Sequence, residues 1–233
     1  TLNDNEIINN LKKKISKSQL VINCCASLKP NTSKDFIVNS KLPKLIQSSI
    51  YDSKKKIYFI HLSTLNILLK KRTDRYTASK KKSDISLKKK NTTILRLPLV
   101  YSNSIDKKRS GNLKILHKYL DINFLPFYPM IYPGHIYRPI LVSDLCIFID
   151  KLIKSKRIRP LYNLIGRRRL SFWDIFINLA KKKKKSVIKI NTLFISKFFS
   201  IFKYVNCIRN NQFLSQILSI DQSNFSKVNL TKV

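Results

Sequence analysis

Three short apolar runs, separated by segments of helix length, restrict the fold of this chain more than any other feature. The runs cover residues 20–25, 57–62 and 93–97, and helix patterns occupy residues 40–50 and 75–89 between them. Short apolar runs are typical of strands buried on both faces, and their alternation with helices indicates a parallel sheet with helical cover. We therefore predict an α/β fold whose strands end along one shared edge, where such sheets bind ligands.

Weaker patterns extend this alternation along the chain. Further elements are expected as a helix at 6–15, a strand at 137–142, a helix from an N-cap at Ser143 to residue 152, a strand at 161–165, a helix at 172–179 capped by Ser171, and a strand at 187–190. The proline- and aromatic-rich residues 125–134 predict an ordered loop, and the remainder after residue 190 has a helical pattern.

The charge of the chain is extreme, with 47 Lys and Arg against 12 Asp and Glu and a net charge of +35. One interpretation is a nucleic-acid or anionic-membrane partner. The other is a compositional bias on solvated faces, which we favour because the basic residues are spread along the whole chain. A nucleic-acid partner is therefore the less favoured prediction.

The most apolar segment, residues 193–205, carries Lys197 and Lys203 and could lie on an anionic membrane surface or pack on its own domain. No run approaches the roughly 20 apolar residues that a spanning helix needs, and no signal peptide is recognised. We therefore predict a cytoplasmic protein, with peripheral membrane association as an alternative.

The cysteines show no metal-binding spacing, and the histidines are scattered. These residues are Cys24, Cys25, Cys146 and Cys207, with His61, His117 and His135. Since Cys24, Cys25 and Cys146 fall within apolar runs, they are predicted to be buried free thiols in a reducing compartment. No metal site is predicted.

A cluster of chemically useful side chains is expected at one strand end. Ser63 and Thr64 close the second apolar run, and Tyr76 and Lys80 stand four residues apart at the start of the next helix, on one helix face. A phenol, an ammonium and a hydroxyl that converge in this way can move a proton to or from an alcohol oxygen. The alternatives are that Tyr76 is a surface tyrosine and that the hydroxyls only cap the strand or a helix.

The order of these motifs resembles the extended short-chain dehydrogenase/reductase family, and most closely its NAD(P)-dependent sugar-nucleotide epimerases and dehydratases. The similar segments are residues 21–26, 36–39, 60–64, 76–80, 94–101, 111–112, 125–126, 137–145, 161–166 and 220–224. The resemblance covers nearly the whole chain. It implies a Rossmann-type parallel sheet with helices on both faces and a small substrate lobe.

The resemblance also implies roles for individual residues. Tyr76 would move the proton of a substrate hydroxyl, Lys80 would favour the phenolate and bond the nicotinamide ribose, and Thr64, ahead of Ser63, would orient the substrate oxygen. The expected cofactor is NAD or NADP, and its binding residues would be Ala26, Tyr76, Lys80, Pro98 and Val100.

Two further residues are implied as contacts to the nucleotide diphosphate of the substrate. They are Asn112 and Arg138, the latter because a planar guanidinium matches a phosphate. The alternatives are that Asn112 caps a helix and that Arg138 is a charge at a strand edge. The predicted division is a nucleotide-binding domain of residues 1–105 and 136–160 and a lobe of residues 106–135 and 161–233. The sequence does not determine the oligomeric state, for which a homodimer is one candidate.

One departure from the family pattern concerns the cofactor phosphates. The family opens with a glycine-rich turn at a helix N-terminus, whereas this sequence has only Gly111, Gly134 and Gly166. The first strands are therefore expected to be missing, through truncation or through loss of the cofactor site. We predict an epimerase, dehydratase or reductase of a nucleotide-activated sugar in surface-glycan synthesis. The alternatives are a non-catalytic nucleotide-binding relative, of the scaffold or complex I accessory type, and a basic nucleic-acid-binding protein.

Overall fold

The predicted alternation of strands and helices is present in the structure, which is a computed structural model. The structure describes residues 4–15, 17–27, 32–53, 55–69, 74–88, 90–102, 119–122, 126–132, 136–155, 158–191 and 230–233. The helices are α1 Asp4–Ile15, α2 Ser33–Ser40, α3 Leu42–Asp52, α4 Arg75–Ser86, α5 Val142–Lys154 and α6 Phe172–Lys182. The strands are β1 Leu20–Asn23, β2 Tyr58–Thr64, β3 Thr92–Leu97, β4 Val100–Tyr101, β5 Tyr128–Tyr132, β6 Ile136–Tyr137, β7 Ile140–Leu141, β8 Leu161–Ile165, β9 Leu170–Ser171, β10 Val187–Asn191 and β11 Leu230–Lys232.

A five-stranded sheet in the order β1-β2-β3-β8-β11 organises the first of two units. Every pairing within it is parallel. This confirms the predicted α/β class with a Rossmann-type sheet. Because all five strands run in the same direction, their carboxyl ends lie along one edge of the sheet.

Apolar side chains of the sheet and its covering helices form the core of this unit. Phe59 and Ile57 of the β2 segment are 1 % exposed and pack in one cluster with residues of α1 and α3. The cluster is Ile15, Ile46, Ile50, Ile57, Phe59, Leu87 and Ile94. Each fully buried side chain of this size contributes about 1.5–3 kcal/mol from removal of apolar surface from water, so β2 is held firmly in place.

The second unit contains residues 99–146 and 166–227, of which the structure describes part. Within it β5 pairs with β10 and β4 with β7, both in parallel, and β6 pairs with β9 in antiparallel fashion. Its core is Leu120, Tyr128, Met130, Phe172, Phe176 and Ala180. The predicted cap of α6 is present: the Ser171 hydroxyl accepts a hydrogen bond from the Asp174 backbone N–H at 3.0 Å.

Several predicted boundaries differ from the observed ones. Strands β8 and β11, assigned from the sequence to the lobe of residues 161–233, belong to the five-stranded sheet of the first unit. The expected loop at 125–134 contains strand β5, and the expected single strand at 137–142 is divided between β6 and β7. This division falls at Arg138-Pro139, where proline has no backbone N–H to donate to a strand ladder.

Two helix starts also differ. The helix expected from Ser143 begins at Val142, and the one expected at residues 40–50 begins at Leu42, with Pro43 in its first turn. Proline is well tolerated there because the first N–H groups of a helix have no intrahelical partner. None of the helices that the structure describes is long and apolar enough to span a membrane. The apolar segment 193–205 lies outside the described residues.

Candidate active site

Strand β2 ends in two buried hydroxyl residues. Ser63 and Thr64 are 5 % and 7 % exposed. The Thr64 hydroxyl accepts a hydrogen bond from the Asn66 backbone N–H at 3.3 Å and starts a short 3₁₀ helix, Leu65–Leu68. A hydroxyl that accepts in this way keeps its own O–H to donate, so Thr64 can cap the helix and still donate a hydrogen bond.

Helix α4, which follows this strand end in the chain, carries the predicted tyrosine and lysine. Asp74 caps the helix by accepting the Thr77 backbone N–H at 3.0 Å and the Thr77 hydroxyl at 2.8 Å. The cap fixes the first turn, which carries the half-buried Tyr76. Lys80 follows one turn later and is 2 % exposed.

The ammonium of Lys80 lies against the end of β2. Its Nζ donates a hydrogen bond to the Leu62 carbonyl at 3.0 Å, so the charge sits one residue before Ser63. Burial lowers the pKa of Lys80, whereas its interactions with Asp84, and then with Cys25 and Cys24, act in the opposite direction. The structure thus places the Lys80 ammonium at the backbone of Leu62, directly before Ser63 and Thr64 in β2, and the convergence of these side chains with Tyr76 stays a prediction.

A buried ion pair lies behind these residues and was not predicted. Asp84 Oδ2 is 2.8 Å from Arg96 Nε, which joins α4 to β3. Burial raises the pKa of Asp84, and the Ser63 hydroxyl and Arg96 act against that rise. The Ser63 hydroxyl is near this carboxylate, although within the described structure neither Ser63 Oγ nor Asp84 Oδ1 has a hydrogen-bond partner. The four-residue spacing from Lys80 to Asp84 places both on one helix face, but the sequence carries no comparable signal for the partner of Asp84, Arg96.

A neutral histidine ties the same helix to two strands. His61, which is 0 % exposed, pairs in register with Asn23 of β1, whose Nδ2 lies 3.1 Å from His61 Nδ1. On the other side, His61 Nε2 lies 3.1 Å from the Ser83 hydroxyl of α4. Because an amide NH₂ group only donates, Nδ1 must accept and Nε2 must carry the proton. Burial, followed by the charge of Lys80, lowers the pKa of His61 to about 3.

Comparison with known proteins gives a result at the level of the fold. No family model and no curated protein sequence matches the chain. Among solved structures, the chain is similar to a dTDP-4-dehydrorhamnose reductase from Bacillus anthracis in complex with NADP (14% identity, 79% of this chain and 69% of that one, TM-score 0.63). It is also similar to a UDP-glucose 4-epimerase from Thermotoga maritima with UDP-glucose (14%, 79% and 68%, TM-score 0.62). A third similar structure is a UDP-glucuronic acid 4-epimerase from Bacillus cereus in complex with NAD (18%, 79% and 66%, TM-score 0.60). The chain has the extended short-chain dehydrogenase/reductase fold.

In this dehydrogenase/reductase fold, the loop after β1 is held by backbone hydrogen bonds to buried asparagines. Asn23 Oδ1 accepts the Cys25 backbone N–H at 3.0 Å. Asn39 Oδ1 accepts the Ser27 backbone N–H at 2.8 Å, and Asn39 Nδ2 donates to the Ser27 carbonyl at 2.8 Å and to Ser79 Oγ at 3.1 Å. The loop is thereby fixed to α2 and to α4, the helix of Tyr76 and Lys80.

The exposure of this loop corrects one prediction. Cys24 and Cys25 are exposed, as is Cys146 on α5, so the prediction of buried thiols was wrong for all three. The physical reason is that β1 ends at Asn23, before the cysteines, and that Cys146 lies on the outer side of an amphipathic helix. Cys207 lies outside the described residues. No cluster of three metal-ligating side chains occurs among the residues that were described.

The remaining predicted binding residues are distributed over both units. Ala26 is exposed in the loop after β1, while Pro98 and Val100, which follow β3 in the chain, are half-buried. Arg138 is half-buried in the second unit, where Nε donates to the Gly166 carbonyl at 3.1 Å and Nη2 to the Arg167 carbonyl at 3.5 Å. A guanidinium carries five N–H donors, so these two bonds leave it capacity for a ligand. Asn112 lies outside the described residues.

Proposed function

We propose that this chain is an NAD(P)-dependent enzyme that epimerises, dehydrates or reduces a nucleotide-activated sugar in glycan synthesis. The observation that carries the proposal is the position of Lys80, whose buried ammonium donates to the Leu62 carbonyl beside the hydroxyls of Ser63 and Thr64. The similarity in fold to a reductase and to epimerases of nucleotide sugars supports the same class of chemistry.

In this proposal each residue has a distinct task. Tyr76 gives or takes the proton of the substrate hydroxyl, a role that requires some phenolate at neutral pH although the ordinary pKa of tyrosine is about 10. The ammonium of Lys80, one helical turn away, favours the phenolate electrostatically. Thr64, with Ser63 as the second choice, donates a hydrogen bond to the same substrate oxygen.

The donor set fits the nicotinamide end of an NAD(P) molecule. When bound, this cofactor would accept or donate a hydride. The Lys80 ammonium can donate to ribose hydroxyls, and the buried Ser63 Oγ, which has no hydrogen-bond partner in the described structure, offers a further polar group at the same strand end. Ala26, Pro98 and Val100 are the proposed apolar contacts of the ring. Asn112 and Arg138 stay proposals for the substrate diphosphate.

Binding is the first test, because the 233 residues contain no glycine-rich turn for the cofactor pyrophosphate. Calorimetric titration of the chain with NAD⁺, NADH, NADP⁺ and NADPH should give saturable binding to at least one of them. Lys80→Met should weaken it, and Lys81→Met, a change at an exposed neighbour on α4, should leave it unchanged. Failure of all four nucleotides to bind would contradict the proposal for this chain.

Turnover is the second test. The chain would be incubated with cofactor and with UDP-glucose or a dTDP-4-dehydro sugar, and the products followed by NMR. Tyr76→Phe should lower kcat by about 10²–10⁴-fold, the usual contribution of a general acid or base. Tyr51→Phe is the matched control, because Tyr51 is an exposed tyrosine on α3 whose hydroxyl donates to the Lys90 carbonyl at 3.2 Å.

A non-catalytic nucleotide-binding protein of the same fold is the second candidate. The observation that favours it is the small number of glycines, which are only three in the whole chain. This candidate predicts nucleotide binding that Lys80→Met weakens, with no product from any nucleotide sugar and no effect of Tyr76→Phe. The two tests therefore separate the candidates.

A further inference from the structure

The small sheet formed by β5 and β10 in the second unit has one face in the core and one face that is apolar but exposed. Tyr128 and Met130 of β5 are 0 % and 7 % exposed and pack in the core with the half-buried Val187 of β10. Successive residues of a strand point to opposite faces, so their neighbours lie on the other side of the sheet. There Ile188, which is 44 % exposed, pairs in register with the exposed Pro129.

Two further apolar side chains accompany this pair. Phe127, directly before β5, is 47 % exposed, and Ile190 is half-buried two residues after Ile188, on the same face of β10. We call Phe127, Pro129, Ile188 and Ile190 the outer face. A single exposed apolar residue needs no explanation, whereas several together indicate an interaction surface.

A run of lysines borders the start of both strands. Residues 181–185 connect α6 to β10, and the Ser186 carbonyl that follows them accepts the Tyr128 backbone N–H at 2.9 Å. This hydrogen bond fixes the end of the run beside the start of β5. Lys183 forms an ion pair with Asp121. The exposed members of the run are Lys181, Lys182 and Lys184. The outer face therefore has a positively charged border.

We propose that the outer face and its lysine border form a docking surface for an anionic lipid bilayer. Apolar side chains that enter the headgroup region leave water, and lysines beside them attract anionic headgroups. The chain that follows β10 suits the same partner, because residues 193–205 are its most apolar segment and carry Lys197 and Lys203. A nucleic acid fits less well, because its phosphates would bind the lysines and leave Ile188 and Ile190 without an apolar partner.

Flotation of the full chain with lipid vesicles tests for this partner. The chain should float with vesicles of roughly two parts phosphatidylcholine to one part phosphatidylserine and not with phosphatidylcholine alone. Binding should weaken as the salt concentration rises, because salt screens the attraction between the lysines and the headgroups.

Two pairs of substitutions separate this surface from the charge of the whole chain. Phe127→Ser combined with Ile188→Ser should lower the bound fraction several-fold, and Ile85→Ser, at an isoleucine of α4 that is 76 % exposed, should leave it unchanged. Lys181→Gln combined with Lys182→Gln should also lower it several-fold. Lys81→Gln combined with Lys82→Gln removes the same charge from exposed positions of α4 and should not. Circular dichroism confirms that each variant folds.

Several outcomes overturn the proposal. One is the absence of binding to anionic vesicles, and another is an equal loss of binding in the two lysine variants, since net charge alone would then explain the binding. Tighter binding to single-stranded RNA than to the vesicles would assign the lysines to nucleic acid. A lipid-free dimer that Phe127→Ser with Ile188→Ser converts to a monomer would assign the outer face to a second copy of the chain. Because vesicle binding involves neither NAD(P) nor a sugar, a failure here is distinct from a failure of the proposed function.

Discussion

His61 Nε2 lies 3.1 Å from Ser83 Oγ, and through this contact a single buried imidazole connects β2 to the helix that carries Tyr76 and Lys80. On the other side of the ring, His61 Nδ1 lies 3.1 Å from Asn23 Nδ2, so the same imidazole also connects β1 to this helix. The arrangement requires a neutral ring, because a protonated Nδ1 would face the donor group of Asn23.

The neutral state of His61 predicts a loss of stability in acid. Its pKa is lowered to about 3 in the folded chain from 6.5, so between these pH values only the unfolded chain binds the proton. The free energy of unfolding should therefore be unaffected above pH 6.5 and fall as pH drops below it, by at most about 1.4 kcal/mol per pH unit. Urea unfolding at pH 7, 5 and 4 measures the effect, and His61→Gln should show a smaller dependence on pH. A His61 ring that titrates above pH 6 by NMR would contradict this prediction.

The Asp84–Arg96 pair predicts a cost that depends on which partner is lost. Arg96→Met removes the hydrogen-bonded ion partner of the buried Asp84 carboxylate and should lower the free energy of unfolding by about 3–5 kcal/mol at pH 7. Adding Asp84→Asn should recover a large part of that loss. Since burial raises the pKa of Asp84, the penalty in Arg96→Met should shrink as pH falls and the carboxyl group takes up its proton.

An exposed pair provides the control for this measurement. Lys154 and Asp150 of α5 are also 2.8 Å apart, but their side chains are 73% and 59% exposed. Lys154→Met should change stability by less than about 1 kcal/mol. If both substitutions lower the free energy of unfolding by the same amount, burial of the Asp84–Arg96 pair makes no difference to its contribution to stability.

Asn39 predicts a coupling between the loop after β1 and helix α4. Asn39→Ala removes its three hydrogen bonds to Ser27 and Ser79 and should destabilise the chain by about 1–3 kcal/mol, because buried donors and acceptors lose their partners. Amide hydrogen exchange should also speed up at Ser27. Asn10→Ala, at an exposed position of α1, should produce neither change. Unaltered exchange at Ser27 in Asn39→Ala would refute the coupling.

Gly166 predicts a strict requirement for the smallest side chain. A Cβ at this position would lie 1.8 Å from the Pro139 carbonyl oxygen and 2.7 Å from its carbon, and both atoms belong to the backbone. Gly166→Ala should therefore shift the 138–139 segment or destabilise the chain by about 1–3 kcal/mol or more. Arg167→Ala, at the neighbouring exposed position, should have little effect on the melting temperature. Similar melting temperatures for both variants would contradict the prediction.

The strands of the central sheet could be predicted from the sequence because they are buried and therefore consist of consecutive apolar residues. Strand β8 was predicted with its observed bounds, and β2 and β3 within two residues at each end. Strand β5 was missed because Pro129 and Pro133 indicate a loop. Because proline has no N–H to donate, it fits a strand where that position faces no partner strand. In the described structure β5 pairs only with β10.

For the candidate site, the sequence reveals features that depend on local spacing but not those that depend on how the elements pack. The four-residue spacing of Tyr76 and Lys80 is local and can be counted, whereas the contact of Lys80 with Leu62 depends on how the helix packs on the strand. Buried charges such as Asp84 and Arg96 look like surface residues in a sequence with so many lysines. Only the pairing of β2 with β3, which places Ser63 opposite Arg96, reveals their common location.

In the loop after β1, Cys25 and Ser27 form their hydrogen bonds through backbone groups. The partners are the side chains of Asn23 and Asn39. The shape of this segment is thus encoded outside the segment itself. The side chains at positions 25 and 26 can therefore be changed, by natural variation or to attach a spectroscopic label, while the backbone of the loop keeps its conformation. The chemistry of this loop can thus diversify faster than the fold that supports it.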